Sequence, residues 1–237
     1  MFCGKCGAKI KDGDSFCTKC GTKIDFDENT NQIKDAKVGD IVIFGEYYND
    51  DIHGVLKEPV EWLVLDIEFD ADFNFNKVLL LSKNIIDAKV FNKSLFNKSH
   101  WEKCELRRWL NDKFCTLAFG NDVKKICETK VIAHKNLKSN TANVEKENDT
   151  IDKVFLLSME EINKYLPTDE KRKAISTKYA QAQYPNNPFD EYWLRTTGYD
   201  GLENNGVAAV REDGYIKASG YNEDSILGVR PAIWVKY

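Results

Sequence analysis

The sequence contains no uninterrupted apolar run of the roughly 18 residues that a membrane helix requires. Met1 is also not followed by the basic and apolar segments of a secretory signal peptide. The 237 residues are 42% hydrophobic and 30% charged, which are ordinary globular values and exclude a disordered or fibrous chain. We therefore expect a folded cytoplasmic protein without a membrane partner.

Histidine is scarce, and the three histidines, His53, His100 and His134, are not paired with cysteine or carboxylate at metal-ligand spacing. This pattern argues against a hydrolytic site built on histidine. The sequence also lacks a glycine-rich phosphate loop, and Gly198 to Gly201 lacks the ligand spacing of a calcium loop. The motifs thus indicate no catalytic residue, although an enzyme with an unrecognised active site stays open as the alternative to a binding protein.

Charge is distributed unevenly between the amino terminus and the rest of the chain. Residues 1–24 carry five lysines and two aspartates, a charge of +3, so the formal total of −4 leaves −7 for residues 25–237. An acidic body argues against a large nucleic-acid surface. We expect a protein or another macromolecule as the partner.

Two cysteine pairs stand close to the amino terminus, in the pattern Cys3-x2-Cys6-x10-Cys17-x2-Cys20. Four thiolates in two such pairs surround one zinc ion tetrahedrally. The segment from Phe2 to Ile10 recurs as Phe16 to Ile24, so two equivalent knuckles would face one ion. We predict one structural Zn²⁺ per chain; two disulfides or a rubredoxin-like iron site are the alternatives.

A glycine follows the second cysteine of each pair, at Gly7 and Gly21. The knuckle needs a positive φ there, which glycine adopts at little cost. Residues 2–24 resemble the short zinc ribbon at the amino terminus of many otherwise unrelated bacterial proteins. The resemblance implies a structural or interaction module and no activity.

The chain after the ribbon divides into a polar stretch and a large domain. Residues 25–37 are rich in Asn, Asp and Lys, which predicts a linker between a ribbon at 1–24 and an α+β domain at 38–237. Short apolar runs separated by turn-forming residues predict strands in the large domain. These runs are 41–44, 60–67, 78–81, 154–157, 193–195, 206–211, 215–218 and 229–235.

Four helices are predicted between these strands. Capping-box patterns at Ser99-x-x-Glu102 and Ser158-x-x-Glu161 predict two helix starts, the second helix being ended by Pro167. Two further helices are predicted at 122–130 and 170–183, and the polar segment 137–150 is predicted to be a surface loop.

The order of motifs in the large domain resembles a family of uncharacterised bacterial domains over about residues 38–237. The residues that carry this resemblance include Tyr192-Trp-Leu-Arg-Thr-Thr-Gly198, Asp213-Gly-Tyr-Ile216 and Gly228-Val-Arg-Pro-Ala-Ile-Trp234. A more distant similarity is to the C-type lectin-like fold of formylglycine-generating enzymes, which closes with a Gly-aromatic-Arg strand. Here Val229 replaces the aromatic residue. That resemblance implies a lectin-like domain with short C-terminal strands, and an unrelated α+β sandwich is the alternative.

Several tryptophans, cysteines and arginines of the large domain are expected to have structural roles, in the core or in ion pairs. Trp62, Trp109, Trp193 and Trp234 stand in apolar runs that favour core packing. Cys104 and Cys127 fall on predicted helices, which favours buried and unreactive thiols over a redox pair. Arg195 and Arg230 are expected to pair with carboxylates such as Asp213 or Glu191.

Two predicted turns between the C-terminal strands carry the candidate recognition residues. Tyr199, Asp200, Tyr221 and Asn222 offer aromatic area and hydrogen bonds in segments where a core is not expected. We therefore predict a zinc-containing binding or adaptor protein that recognises its ligand through these turns.

Overall fold

The computed structural model describes residues 8, 18–21, 33–71, 73–93, 100–133, 147–184, 190–197 and 206–237. Within these ranges the chain forms both helices and sheets, which confirms the α+β class. The lectin-like topology stays a prediction. Several predicted features lie outside the described residues, namely Cys3, Cys6, Cys17, Ser99, His134, Tyr199, Asp200 and most of the loop at 137–150.

The described residues contain two five-stranded sheets. The first has the order β1-β2-β3-β12-β7 and is antiparallel throughout. Its strands are β1 (Ile41–Tyr47), β2 (Glu58–Asp70), β3 (Phe75–Ser82), β7 (Val154–Phe155) and β12 (Ala232–Lys236). The runs predicted at 41–44, 60–67 and 78–81 all lie in these strands, as their apolar composition requires.

The second sheet has the order β10-β9-β8-β11-β4, with β8 and β11 parallel. Its strands are β4 (Asp87–Val90), β8 (Tyr192–Thr197), β9 (Gly206–Val210), β10 (Ile216–Asn222) and β11 (Ile226–Val229). A separate two-stranded sheet pairs β5 (Thr129–Val131) with β6 (Thr150–Asp152). Arg230 and Pro231 connect β11 to β12, so the chain passes there from one large sheet to the other.

The helices are short. They are α1 (Glu105–Trp109), α2 (Cys115–Phe119), α3 (Met159–Tyr165), α4 (Asp169–Arg172) and α5 (Lys178–Gln183), with a π-helical turn at Leu110–Phe114 between α1 and α2. 3₁₀ turns occupy Trp101–Lys103 and Gly120–Lys125. No helix in the described ranges has the length and apolar character needed to span a membrane.

One of the two predicted capping boxes is confirmed. Ser158 accepts the backbone N–H of Glu161 at 3.1 Å, and the Glu161 carboxylate accepts the N–H of Ser158 at 2.9 Å. The box predicted at Ser99 and Glu102 involves Ser99, which lies outside the described residues. The α-helix after it, α1, begins at Glu105 and is capped by Cys104, whose thiol accepts the N–H of Arg107 at 3.3 Å.

Two predicted helices are also wrong. The helix expected at 122–130 ends at Lys125, because Ile126 bridges to Val235 and the N–H of Cys127 binds the carbonyl of Trp234 at 2.8 Å. The helix expected at 170–183 is split into α4 and α5. Between them the backbone is hydrogen-bonded to Ile85. The N–H of Ile85 donates to the carbonyl of Ile175 at 3.0 Å, and the carbonyl of Ile85 accepts the N–H of Thr177 at 2.9 Å.

The core contains most of the tryptophans. Trp62 and Trp193 are fully buried and Trp234 is 8% exposed, as predicted, while Trp109 is half-buried and packs against the core edge. Burial of these large side chains supplies much of the driving force for packing the two sheets.

Core packing begins before residue 38. Ile33, which the sequence analysis placed in the polar linker, is 1% exposed and belongs to the core. Gly39 donates its N–H to the carbonyl of Val64 at 2.9 Å, and the backbone carbonyl of Asp40 accepts the N–H of Val64 at 2.9 Å. The end of the predicted linker is therefore attached to the large domain. Backbone hydrogen bonds join it to β2, and burial of the Ile33 side chain stabilises this attachment.

Arg230 joins three segments of the large domain from the connection between the sheets. Its guanidinium donates to the carbonyls of Ser82 at 2.9 Å and Arg172 at 3.1 Å, and to the Tyr192 hydroxyl at 3.0 Å. Arg230 is 3% exposed. It therefore fixes the end of β3 relative to the segment that leads into α5.

Candidate functional site

Of the four candidate zinc ligands, Cys20 lies within the described residues, where it is half-buried. Gly21, directly after it, has φ of 65°. This is the positive φ that the sequence predicted for a knuckle, and the backbone at Cys20 thus fits a C-x2-C pair.

The donor set suits zinc better than a hard cation, because zinc binds four thiolates readily while calcium and magnesium require oxygen ligands. Within the described ranges, no group of three or more His, Cys, Asp or Glu side chains is placed to hold a metal ion. The ribbon is therefore the candidate metal centre.

The predicted C-terminal recognition site differs from expectation at Tyr221. This residue lies on strand β10, not in a turn, and is half-buried against the core. Its hydroxyl donates to the Glu191 carboxylate at 2.9 Å, and the Lys217 ammonium lies 3.5 Å from its ring centroid. Burial, followed by the bond to Glu191, raises the pKa of Tyr221 to about 12. Asn222 is exposed at the end of β10, opposite Gly206.

The internal carboxylate pair predicted for Arg195 is present, but its partner is Glu161 and not one of the two named examples, Asp213 and Glu191. The pair is two-pronged, and one of its two bonds measures 2.8 Å. Arg230 binds carbonyl and hydroxyl oxygens, as described above. Both arginines are buried, so they hold the sheets together and are not presented to a ligand.

The cysteines of the large domain are shielded. Burial raises the pKa of Cys104 to about 12, and burial also raises the pKa of Cys115 and of Cys127. A thiol with a raised pKa is a poor nucleophile at neutral pH because little thiolate forms. This supports the prediction that Cys104 and Cys127 are unreactive.

A feature that the sequence analysis missed lies in the connection between β1 and β2. The Asp51 carboxylate accepts three backbone N–H groups, from Leu56 at 2.6 Å, Val55 at 2.7 Å and His53 at 3.0 Å. These bonds, the one from Leu56 first, lower the pKa of Asp51. A single carboxylate thus fixes the backbone of residues 51–56, which we call the aliphatic loop.

The aliphatic loop presents large apolar side chains to solvent. Ile52 is 50% exposed, Val55 75% and Leu56 69%. These three exposed residues lie within five positions of the sequence. Because hydrogen bonds hold the backbone of the loop, they form an ordered apolar projection from the surface. Its signal in the sequence is Asp51-x-x-Gly54 followed by two aliphatic residues, a turn pattern with apolar residues where polar ones are usual.

The base of the aliphatic loop is rigid. Gly54 has φ of 66°, and a Cβ atom there would lie 3.1 Å from the Tyr179 ring. The Tyr179 ring packs on Tyr47 and Tyr48 with centroids 5.8 Å and 5.1 Å apart. The Tyr47 hydroxyl donates to the buried Asp87 at 2.8 Å, so the projection rests on an aromatic base that is anchored in the core.

An open groove of about 490 Å³ lies beside the aliphatic loop. Its walls come from the two residues that precede that loop, the start of β2, the connection between β3 and β4, and the start of α5 with the residues before it. The lining residues are Asn49, Asp50, Glu58, Pro59, Val60, Glu61, Asn84, Ile86, Ser176, Thr177 and Lys178.

Hydrogen bonds across the groove floor keep its walls in place. The Asn49 amide donates to the carbonyl of Pro59 at 3.0 Å, and the Asp50 N–H donates to the Glu58 carboxylate at 3.0 Å. The ladder between Ile85 and residues 175–177 holds the opposite wall. The groove and the aliphatic loop therefore form one ordered surface, which can recognise a ligand without first being ordered by it.

Comparison with known proteins gives two family matches. Residues 75–237 match the family described as Domain of unknown function (DUF6273), and residues 2–24 match the zinc-ribbon domain. No curated protein and no solved structure matches the chain.

Proposed function

The chain belongs to the DUF6273 family and carries an amino-terminal zinc-ribbon domain, and we propose that it is a zinc-containing adaptor that binds a protein partner. The zinc-ribbon domain implies zinc binding. In this proposal Cys3, Cys6, Cys17 and Cys20 hold one structural Zn²⁺ per chain, in a cytoplasmic setting that keeps the thiols reduced.

The observation that carries the proposal is the aliphatic loop. A single exposed apolar residue is ordinary on a protein surface. Clustered apolar side chains on an ordered backbone are different, since contiguous exposed apolar surface marks interaction sites. Here Val55 and Leu56 project on a backbone that Asp51 fixes, so little conformational entropy is lost when a partner covers them.

An exposed aliphatic residue outside the groove provides the contrast. Ile151 is 58% exposed on β6, which pairs with β5, and it does not line the groove. Its sequence neighbours, Thr150 and Asp152, are polar and buried, so it lacks exposed aliphatic neighbours in sequence. Ile151 is therefore the control for the aliphatic loop.

The C-terminal turns stay a separate prediction. The binding role predicted for Tyr199, Asp200 and Asn222 still requires its own test. For Tyr221, the bond to Glu191 and the contact with Lys217 give the side chain a structural role on β10. The present proposal therefore rests on the aliphatic loop and not on these turns.

The test is affinity capture with the full zinc-loaded chain, using wild type, Leu56→Asp and Ile151→Asp. We expect one protein to be retained by wild type and Ile151→Asp and lost with Leu56→Asp. Binding of that protein in purified form should then weaken at least about tenfold with Leu56→Asp, a loss of about 1.4 kcal/mol. Equal retention by both variants would contradict the proposal.

A further inference from the structure

We infer that the zinc ribbon of this chain docks on an exposed apolar face at the start of β1, so that zinc binding and the stability of the large domain depend on each other. This inference rests on the zinc centre of the proposed function and not on its protein partner. The face consists of Val38, Ile41, Ile43 and Leu63, and we call it the β1 face.

The β1 face lies on one side of the first sheet, opposite the core residues of β1. Val42 and Phe44 are buried, so Ile41 and Ile43, which alternate with them, point to the other side. Ile41 is 44% exposed and pairs with Leu63 on β2, which brings their side chains together on that side.

The same side of the sheet is covered at its centre. Leu63 pairs with Leu81 on β3, and Leu81 is buried. From Leu81 through half-buried Leu63 to Ile41, the exposure increases towards the edge strand, and Val38 before β1 is 63% exposed. The β1 face is therefore the open margin of an apolar sheet surface, which is typical of a contact site.

The chain itself supplies an occupant at this position. Ile33 is buried in the large domain five residues before Val38, and the bond from Gly39 to Val64 holds the following backbone against β2. Residues 25–32 alone separate the ribbon from this anchor, and eight residues span at most about 29 Å. A tether this short gives an effective concentration in the millimolar range, so even a weak contact forms.

The ribbon also has apolar residues that need a cover. Its two repeats carry Phe2, Ile10, Phe16 and Ile24. A module of 24 residues is too small to enclose four large apolar side chains in a core of its own. Contact with the β1 face removes apolar surface of both modules from water, which favours docking.

The aliphatic loop is a different surface at the other end of β1. Ile33 and Val38 precede that strand, while the loop follows its last residue, Tyr47. Seven residues of extended strand, about 23 Å, lie between the two ends. A ribbon docked on the β1 face therefore leaves Val55 and Leu56 accessible, and the two surfaces can be tested separately.

Docking links zinc binding to the stability of the large domain. A small zinc module folds with its metal, so docking requires the zinc-loaded chain and stabilises the large domain only in that state. Because such coupling is reciprocal, a substitution that prevents docking weakens zinc binding by the same factor.

The test is urea unfolding of the full chain, with zinc and after removal of zinc by EDTA, followed by tryptophan fluorescence. All five tryptophans lie between residues 62 and 234, so this signal reports the large domain alone. We expect wild type to unfold at a lower urea concentration without zinc. Ile41→Asp should remove this difference and weaken zinc binding at least about fivefold in competition with a chelator, while Ile151→Asp should preserve both.

Cobalt in place of zinc locates the ribbon without any substitution. Co²⁺ accepts the same thiolate ligands and is paramagnetic, so it shifts the NMR signals of nearby amides relative to the zinc-loaded chain. We expect the Leu63 amide to shift more than that of Ile151, which lies three residues before β7, the opposite edge of the first sheet. The shift should not depend on protein concentration, because the contact is within one chain.

Equal urea midpoints with and without zinc in wild type, a difference that survives in Ile41→Asp, or equal cobalt shifts at Leu63 and Ile151 would overturn the inference. A Leu63 shift that disappears on dilution would also overturn it and assign the β1 face to a second copy of the chain. If the chain binds no zinc, the proposed zinc centre is wrong as well. If zinc is bound and the midpoints are equal, the docking inference alone is wrong.

Discussion

The carboxylate of Asp51 accepts the backbone N–H of Leu56 at 2.6 Å, across five residues that contain the exposed side chains of Ile52 and Val55. The same carboxylate oxygen also accepts the N–H of Val55 at 2.7 Å. One side chain thus determines whether the aliphatic loop has a single backbone conformation.

Replacing Asp51 by Ala should loosen this loop without unfolding the domain. We expect the amides of Val55 and Leu56 to exchange with D₂O at least about tenfold faster, because both lose their acceptor. Partner binding should weaken, since the loop must then be ordered on binding. Asp224→Ala, at an exposed turn, is the control and should leave the exchange of both amides unchanged.

Lowering the pH should loosen the aliphatic loop in the same way as the Asp51 substitution. The backbone hydrogen bonds lower the pKa of Asp51, so they stabilise the folded loop at pH values above the ordinary aspartate pKa of about 4. This contribution is lost as the pH falls through the lowered pKa. Exchange of the Leu56 amide, corrected for its intrinsic rate, should therefore rise in that acidic range in wild type but not in Asp51→Ala.

Glu161→Gln should destabilise the large domain by about 2–3 kcal/mol. The substitution keeps a capping acceptor for Ser158 but removes the charge that pairs with Arg195, whose side chain is 5% exposed. Loss of a partner in a buried pair costs about 3–5 kcal/mol, and Glu161 is a third exposed, which reduces the effect. Urea unfolding measures the loss. Glu170→Gln, which removes an exposed pair with Lys173, should leave the urea midpoint close to that of wild type.

Tyr221→Phe should cost about 1 kcal/mol, because it removes the hydrogen bond to the Glu191 carboxylate from a half-buried site. Trp193→Ala should cost about 3–5 kcal/mol through lost burial and a cavity. Asn222→Ala, at an exposed position, should change stability by less than about 0.5 kcal/mol. A Tyr221→Phe effect below that of Asn222→Ala would contradict the structural role given to Tyr221.

Metal analysis tests the zinc ribbon. We expect one equivalent of zinc in the purified wild type and release of this zinc when thiol reagents block the ribbon cysteines. Cys17→Ser should lose most of the zinc, while Cys104→Ser should retain it, because Cys104 is a buried helix cap in the large domain. Iron, or less than half an equivalent of zinc in wild type, would exclude the proposed centre.

Local sequence patterns predicted the features that depend on neighbouring residues. The apolar run at 78–81 forms the middle of the first sheet, and the Ser158 capping box starts α3, because both signals are short-range. The helix expected at 122–130 failed because of a distant contact, the bond between Cys127 and Trp234. No local pattern encodes such a pairing.

The groove could not be predicted for the same reason. Glu58, Asn84 and Ser176 belong to three separate segments that the sheets and Arg230 bring together. Asp51 is different, since its bonds to Val55 and Leu56 are local and the turn signature is present in the sequence. The sequence does not show that Val55 and Leu56 are exposed, because an exposed aliphatic pair is recognised only once the core is known.

The most direct test of the adaptor account is position-specific photo-crosslinking in the source cells. A photoreactive residue at position 55 of the full chain is compared with one at position 151, two sites whose native residues are 75% and 58% exposed. The account predicts a discrete crosslinked protein from position 55, absent from position 151 and diminished when Asp51→Ala is added. Equal crosslinking from both positions, or none from position 55, would contradict it.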